Sequence, residues 1–261
     1  MAKKEEKVES TALTTLAGRS LERPSHVSTG TRGTEHLTRE DITMPRLALA
    51  QQMSPQLQEL DPKYVPDLKV GQLFNSLTGQ NFGRGPVFFT IVRADKPRYV
   101  QFAPREEGGG VIDPNVPADD PRTRFRPDGK KPLATKFYDF IVAMLPFNEK
   151  TKGNPFENMI ALSFKSTGLK VAKQLNTLMR MRNADSFTGL YELTAGQDKN
   201  TKGTFAVYQV KNAGWLSAEE CAIAEAMFES VKDREIKVDR EPGEDDDPGD
   251  PTDRDKDPSE M

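Results

Sequence analysis

The stretch DPRTRFRPDGKK gathers Arg122, Arg124, Arg126, Lys130 and Lys131 around a single aromatic ring, Phe125. Guanidinium and ammonium groups pair with phosphate oxygens, and an exposed phenyl ring can stack on an unpaired base. The types and spacing therefore suit a single-stranded nucleic acid. The alternative is a solvated insertion whose cations balance Asp119, Asp120 and Asp128.

A second set lies in TGLKVAKQLNTLMRMR. Lys170, Lys173, Thr177 and Arg180 recur at helical spacing, opposite an apolar stripe of Leu169, Ala172, Leu175, Leu178 and Met179. No Asp or Glu occurs from Ser166 to Asn183, so these cations have no acidic partners at i,i+4. Strand alternation supplies a third set. In RYVQFAPR it groups Tyr99, Gln101, Ala103 and Arg105 apart from Arg98, Val100 and Phe102. In TFAVYQVKN it groups Phe205, Val207, Gln209 and Lys211, and Lys136 with Tyr138 repeats the mixture. A surface of aromatics, amides and cations is a stacking platform for single strands, while core packing competes for each ring. Arg93, Arg98 and Lys165 complete the candidate contact residues.

Other chemistry is poorly supplied. Cys221 is the only cysteine and sits in the helical pattern SAEECAIAEAMFESV, where a buried structural thiol is expected. His26 and His36 are the only histidines and lie in a polar N-terminal stretch. Zinc sites of His/Cys type, Ser–His–Asp triads and Cys–His pairs are thereby excluded from the ordered body. FKSTG lacks the spacing of a phosphate-binding loop, and EEGGG does not open a helix. Asp113, Asp119, Asp120 and Asp128 fall in Pro-rich loop. The expectation is a binding protein, not an enzyme, with no cofactor and no metal.

These residues need elements to hold them. Residues 1–40 are Gly/Ser/Thr-rich and aperiodic and are expected to be disordered; residues 41–233 form the core. Short extended segments are predicted at Arg46–Gln51 and Val70–Ser76. A β-rich run from Val87 to Phe102 is broken at ADKP. A long loop, about residues 104–133, precedes the strands TKFYDFIVAML and NMIALSFKS. The central helix follows, with Ser166 or Thr167 available as its N-cap. Strands FTGLYELTA and TFAVYQVKN come next, joined by a turn at GQDKNTKG, and a last helix starts at Ser217 with a capping box to Glu220. Strand, strand, strand, helix, strand, strand is the order of an OB barrel. The expected class is mainly β, an OB-like barrel with a central and a C-terminal helix. A generic α+β sheet shares that order.

Charge is unevenly divided. Residues 239–261 hold eleven acids and three bases, a net of −8, in a chain whose total is −3. The remainder is therefore +5. Repulsion and six prolines or glycines between Pro242 and Pro258 keep residues 234–261 disordered in this reading. The acids Asp245, Asp246, Asp247, Asp250, Asp253, Asp255, Asp257 and Glu260 would either solubilise the chain or compete with a nucleic acid for the basic body. Apolar residues are 35% of the chain, and no run reaches the roughly 20 residues that span a bilayer. No apolar signal-peptide core appears in MAKKEEKVESTALTTL, so a soluble, cytoplasmic protein is expected.

The chain resembles the acidic-tailed single-stranded-DNA-binding proteins of bacteriophages and bacteria. The resemblance rests on the basic core, the tail EDDDPGDPTDRDKDPSEM, and the stretches EDITMPRLALAQQMSPQL, VGQLFNSLTG and LSFKSTGLKVAKQLNTLM. It implies sequence-tolerant single-strand binding in replication or recombination, in the host cytoplasm if phage-encoded. It further implies recruitment of replication or recombination proteins through the tail. In many members the tail ends in an aromatic residue, whereas this one ends DPSEM, which weakens the recruitment inference. The competing class is a virion or assembly scaffold with no nucleic-acid role.

Overall fold

A computed structural model describes residues 33, 36, 43–104, 110–127, 129–147, 156, 158–200, 203–233 and 238. The chain divides into two units, Met1–Asp41 and Ile42–Met261, and every element below belongs to the second.

The described residues form ten strands and two α-helices. The strands are β1 (Leu47–Leu49), β2 (Leu73–Asn75), β3 (Asn81–Gly83), β4 (Val87–Ala94), β5 (Arg98–Phe102), β6 (Val111–Val116), β7 (Ala134–Met144), β8 (Met159–Lys165), β9 (Gly189–Asn200) and β10 (Gly203–Trp215). The helices are α1 (Leu169–Arg182) and α2 (Ala218–Val231). Strands β1–β3 make a small sheet. The large sheet has seven strands in the order β10-β9-β4-β7-β5-β6, with β8 also on β7.

Strand β7 is the pivot. Its first half pairs with β5 (Phe137 opposite Arg98) and its second with β4 (Val142 opposite Ile91), while β8 takes its other edge. Strands β4 and β5 are thus two halves of one bent run, interrupted at Asp95–Pro97. Pro97 has no N–H to continue a ladder there. β9 pairs with both β4 and β10.

The expected barrel is not closed, because β8 and β10 share no ladder. The segment 45–51 bonds to both instead. The Ala161 amide donates to the Pro45 carbonyl at 2.8 Å, and Arg46 bridges Ala161 in parallel. Tyr208 donates its hydroxyl to the Leu47 carbonyl at 3.3 Å. The Gln51 amide donates to Ala206 O at 2.9 Å and accepts from Ala206 N at 3.2 Å.

The run Phe140–Ala143 is continuously apolar because both faces of β7 are buried there. Phe140 and Val142 point into the main core with Phe89, Ile91, Leu162, Phe164, Tyr191 and Leu193. Ile141 and Ala143 face the other way, with Val92, Met159 and Ala161, and Met227 and Val231 of α2 cover them. Helix α1 seals the first core with Ala172 and Leu175, both fully buried. Each large side chain so placed contributes about 1.5–3 kcal/mol of burial.

Four expectations are corrected here. Val111–Val116, placed in the long loop, is a strand. Its Pro114 is tolerated because β6 is the outermost strand, with one edge needing no donor. The β9–β10 ladder runs through Gly196–Asn200, where a turn was expected, because the register continues unbroken to Gly203 opposite Asn200. Helix α1 is capped by Gly168 after a 3-10 turn at Ser166–Gly168, with no side-chain cap bond. Val238, expected in the disordered tail, bridges Met44 in parallel and packs on the second core. The capping box at Ser217 and Glu220 is formed as read.

Candidate nucleic-acid interface

The loop between β6 and β7 has a built base. Asp120 caps the 3-10 turn Pro121–Thr123 by accepting from the Arg122 amide at 2.8 Å. The Arg122 side chain donates back to both oxygens of Asp120, at 3.0 and 2.8 Å, to Gln101 Oε1 of β5 at 2.7 Å, and it pairs with Asp113 of β6 at 3.1 Å. The hydrogen bond from Arg122 holds the Asp120 carboxyl at about 2, below the ordinary 3.8, and the same bond raises Arg122 further. Arg122, expected on phosphate, is thus a clamp that fixes the loop to the sheet.

Beyond the clamp, the turn Arg126–Lys130 is closed by the Arg126 amide to Lys130 O at 3.1 Å and by Gly129 N to Arg126 O at 2.9 Å. Gly129 has φ 76, the left-handed region a glycine enters without strain. The Arg126 side chain reaches Lys131 O at 3.3 Å. Phe125 stands out from this turn, 65% exposed, with Arg124, Lys130 and Lys131 exposed around it.

On the sheet, cations and rings are paired. Lys136 lies 4.9 Å from the Tyr138 ring and 5.7 Å from that of Tyr99. Burial acts to lower its ammonium pKa, but the two tyrosines outweigh this and leave it raised. On the opposite face, Lys165 lies 5.6 Å from Phe102 and 5.8 Å from Phe137. Arg98 covers the Phe137 ring at 4.2 Å and is hydrogen-bonded to Asp139.

Other candidates have partners within the protein or lie elsewhere. Arg93 binds Asp95 at 2.7 Å and donates to the Val231 carbonyl at the end of α2. Lys211 pairs with Glu192 at 3.6 Å across the β9–β10 ladder while staying exposed. Phe205, half-buried, stands opposite Asp198 in that ladder. Arg105 and the acids Asp245, Asp246, Asp247, Asp250, Asp253, Asp255, Asp257 and Glu260 lie outside the described residues.

Helix α1 presents the stripe as read. Lys170, Lys173 and Arg180 are exposed and none has an ion-pair partner among the described residues. Thr177 turns its hydroxyl back to the Lys173 carbonyl at 2.9 Å.

Sequence reasoning missed Arg182, Tyr191 and Trp215. Arg182, the last residue of α1, lies 4.5 Å from the Trp215 ring and 4.8 Å from that of Tyr191. A Cβ at Gly189 would collide with its guanidinium, so the glycine makes its room. The available signal was a lone tryptophan, one residue ahead of the Leu216–Ser217 helix entry.

Elsewhere, a concavity lined by Phe187 and Phe228 is edged by Asp185, Glu225 and Glu229, a poor seat for an anion. Cys221 is only partly buried, where a buried thiol was expected, and burial, then Glu220 and Glu225, raise its thiol pKa. Among the described residues no three His, Cys, Asp or Glu side chains are grouped as a metal site, and no helix is long and apolar enough to cross a membrane.

Fold and surface together define a β-rich protein that sets cations against aromatic rings and keeps one helix face bare and cationic. Residues 16–237 match the model of the Pam3 phage gp34-like protein family, and the chain belongs to that family. No curated protein and no solved structure matches the chain.

Proposed function

We propose that this protein binds single-stranded DNA without strong sequence preference, in phage-type replication or recombination, through an OB-like core. The observation that carries this reading is Phe125. A phenyl ring 65% exposed is held out by a clamped loop, and Arg124, Lys130 and Lys131 stand exposed around it. A ring kept out of the core among cations suits stacking on a base whose phosphates those cations meet. The bare cations of α1 and the strand order support the same reading. In an OB fold the loop between the first two strands helps to close the oligonucleotide groove; with β4–β5 taken as the first such strand and β7 as the second, the connection between them carries β6 and the clamped loop. The function is binding, without catalysis, in the host cytoplasm.

A titration of fluorescent oligo-dT at two salt concentrations tests it. Binding should weaken steeply with salt, with a logarithmic slope of about −0.7 for each neutralised phosphate. Absence of binding by both the full chain and a chain lacking residues 239–261 would leave the scaffold reading in its place. Phe125→Ala should cost about 1–3 kcal/mol of oligonucleotide binding. Its melting temperature should stay within a degree or two, since the ring packs against little.

The acidic tail is assigned competition for the DNA surface and recruitment of replication or recombination proteins. Deleting Asp239–Met261 changes the formal charge from −3 to +5. The truncated chain should bind single strand more tightly, most of all at low salt, because exposed charges act over a Debye length of about 10 Å at 0.1 M. Adding the tail as a free peptide should restore only part of the inhibition. A tether holds the tail near its site at an effective concentration of roughly millimolar. Unchanged or weaker binding after truncation would leave the tail a solubilising segment.

A further inference from the structure

Trp215 is the only tryptophan of the chain and is 57% exposed. An indole normally buries most of its surface or finds a partner. This one has its backbone fixed on both sides. Trp215 pairs with Gly189 at the end of the β9–β10 ladder, the next amide, Leu216, donates to Thr188 O at 3.0 Å, and Ser217 then caps α2.

The Arg182 guanidinium lies over the ring at 4.5 Å. It is itself held in place, donating to Leu190 O at 3.3 Å, to Gly214 O at 2.5 Å and to Asn212 Oδ1. These acceptors are carbonyls and an amide. No carboxylate pairs with Arg182 among the described residues, and its Nε and Nη1 are buried without an acceptor. The positive charge under the ring is therefore not neutralised. Arg180, on the same last turn of α1, is exposed and has no acidic partner among the described residues.

We propose that Trp215 is a base-stacking position, which receives one base of a single-stranded nucleic acid on the ring face opposite Arg182. The inference rests on the single-strand reading above and adds a contact to it. A ring already fixed in place loses little conformational freedom on binding. The unneutralised guanidinium behind it favours the negative backbone that accompanies the base. Every base has a π-face, so the position carries no sequence preference. It would extend the binding surface from the clamped loop to the C-terminal end of α1.

Because Trp215 is the only indole, its emission reports on this position alone. The full chain is titrated with fluorescein-labelled oligo-dT, reading anisotropy of the label, and with unlabelled oligo-dT, reading tryptophan emission and its quenching by acrylamide. Stacking predicts that emission falls and acrylamide access is lost over the same concentration range as the anisotropy rises. Trp215→Ala should weaken binding by about 5- to 150-fold, and Trp215→Phe should recover most of the loss. If anisotropy rises while emission and acrylamide access stay unchanged, Trp215 is not a stacking position, although single-strand binding stands. If anisotropy rises neither for the full chain nor for the chain lacking residues 239–261, which keeps Trp215 and is titrated in the same way, the functional reading falls and this inference with it. The measurement on the unaltered chain decides the matter even if Trp215→Ala fails to fold.

Discussion

Replacement of Asp139 by alanine is expected to destabilise the protein by about 3–5 kcal/mol, the range for breaking one half of a buried ion pair. The Asp139 side chain is 10% exposed and that of its partner Arg98 is 18% exposed. The carboxylate also accepts from the Ser163 hydroxyl at 2.5 Å, so β5, β7 and β8 meet at this one group. Its loss leaves a guanidinium against the Phe137 ring with no anion and a hydroxyl with no acceptor. The cost is mostly that of an orphaned charge. The double replacement Arg98→Met with Asp139→Leu should therefore cost less than Asp139→Ala alone. Urea unfolding of the three variants measures both statements. A double variant less stable than the single one would show that the pair contributes net attraction beyond its own desolvation.

That ion pair also shows what could be read from the sequence and what could not. The capping box at Ser217 and Glu220, the apolar stripe of α1 and the strand run Phe137–Ala143 are local patterns. Each follows from the spacing of residues within one element, and each is present. The partners of the cations are not local. Arg98 meets Asp139 across 41 positions and Arg93 meets the Val231 carbonyl across 138. A cation in a strand therefore reads the same whether it faces solvent or closes a helix terminus. The Arg122 clamp was half legible, since Asp120 lies two positions away, but its bonds to Gln101 and Asp113 required the fold. The barrel failed to close for a related reason. The order of five strands and a helix says which strands can be neighbours, but residues 45–51, far upstream, take the bonds between β8 and β10. The site divides in the same way. Phe125 and the α1 stripe were legible because exposure follows from local composition. Trp215 was not, because its stacking on Arg182 brings together the ends of two elements.

The α1 stripe yields the largest expected effect on binding. In the triple variant Lys170→Gln, Lys173→Gln, Arg180→Gln, each lost phosphate contact should reduce the salt slope of single-strand binding by about 0.7, or roughly 2 for all three. The same exponent at 0.1 M salt corresponds to a loss of affinity on the order of a hundredfold. Folding should be preserved. The three side chains are exposed, they make no ion pair among the described residues, and glutamine is nearly as good a helix former as lysine or arginine. Removing like charges spaced three and seven positions apart should leave the helix unchanged or slightly more stable. Circular dichroism and the melting temperature serve as the control, and titration across a range of salt supplies the slope. A variant that folds normally and retains both its affinity and its salt slope would place the nucleic acid away from α1. The clamped loop and its exposed Phe125 would then have to account for binding without the helix. A variant whose slope drops while its low-salt affinity falls would place the backbone of the strand along Lys170, Lys173 and Arg180, a line that runs the length of α1 and ends on the last turn, where Arg182 lies beside Trp215.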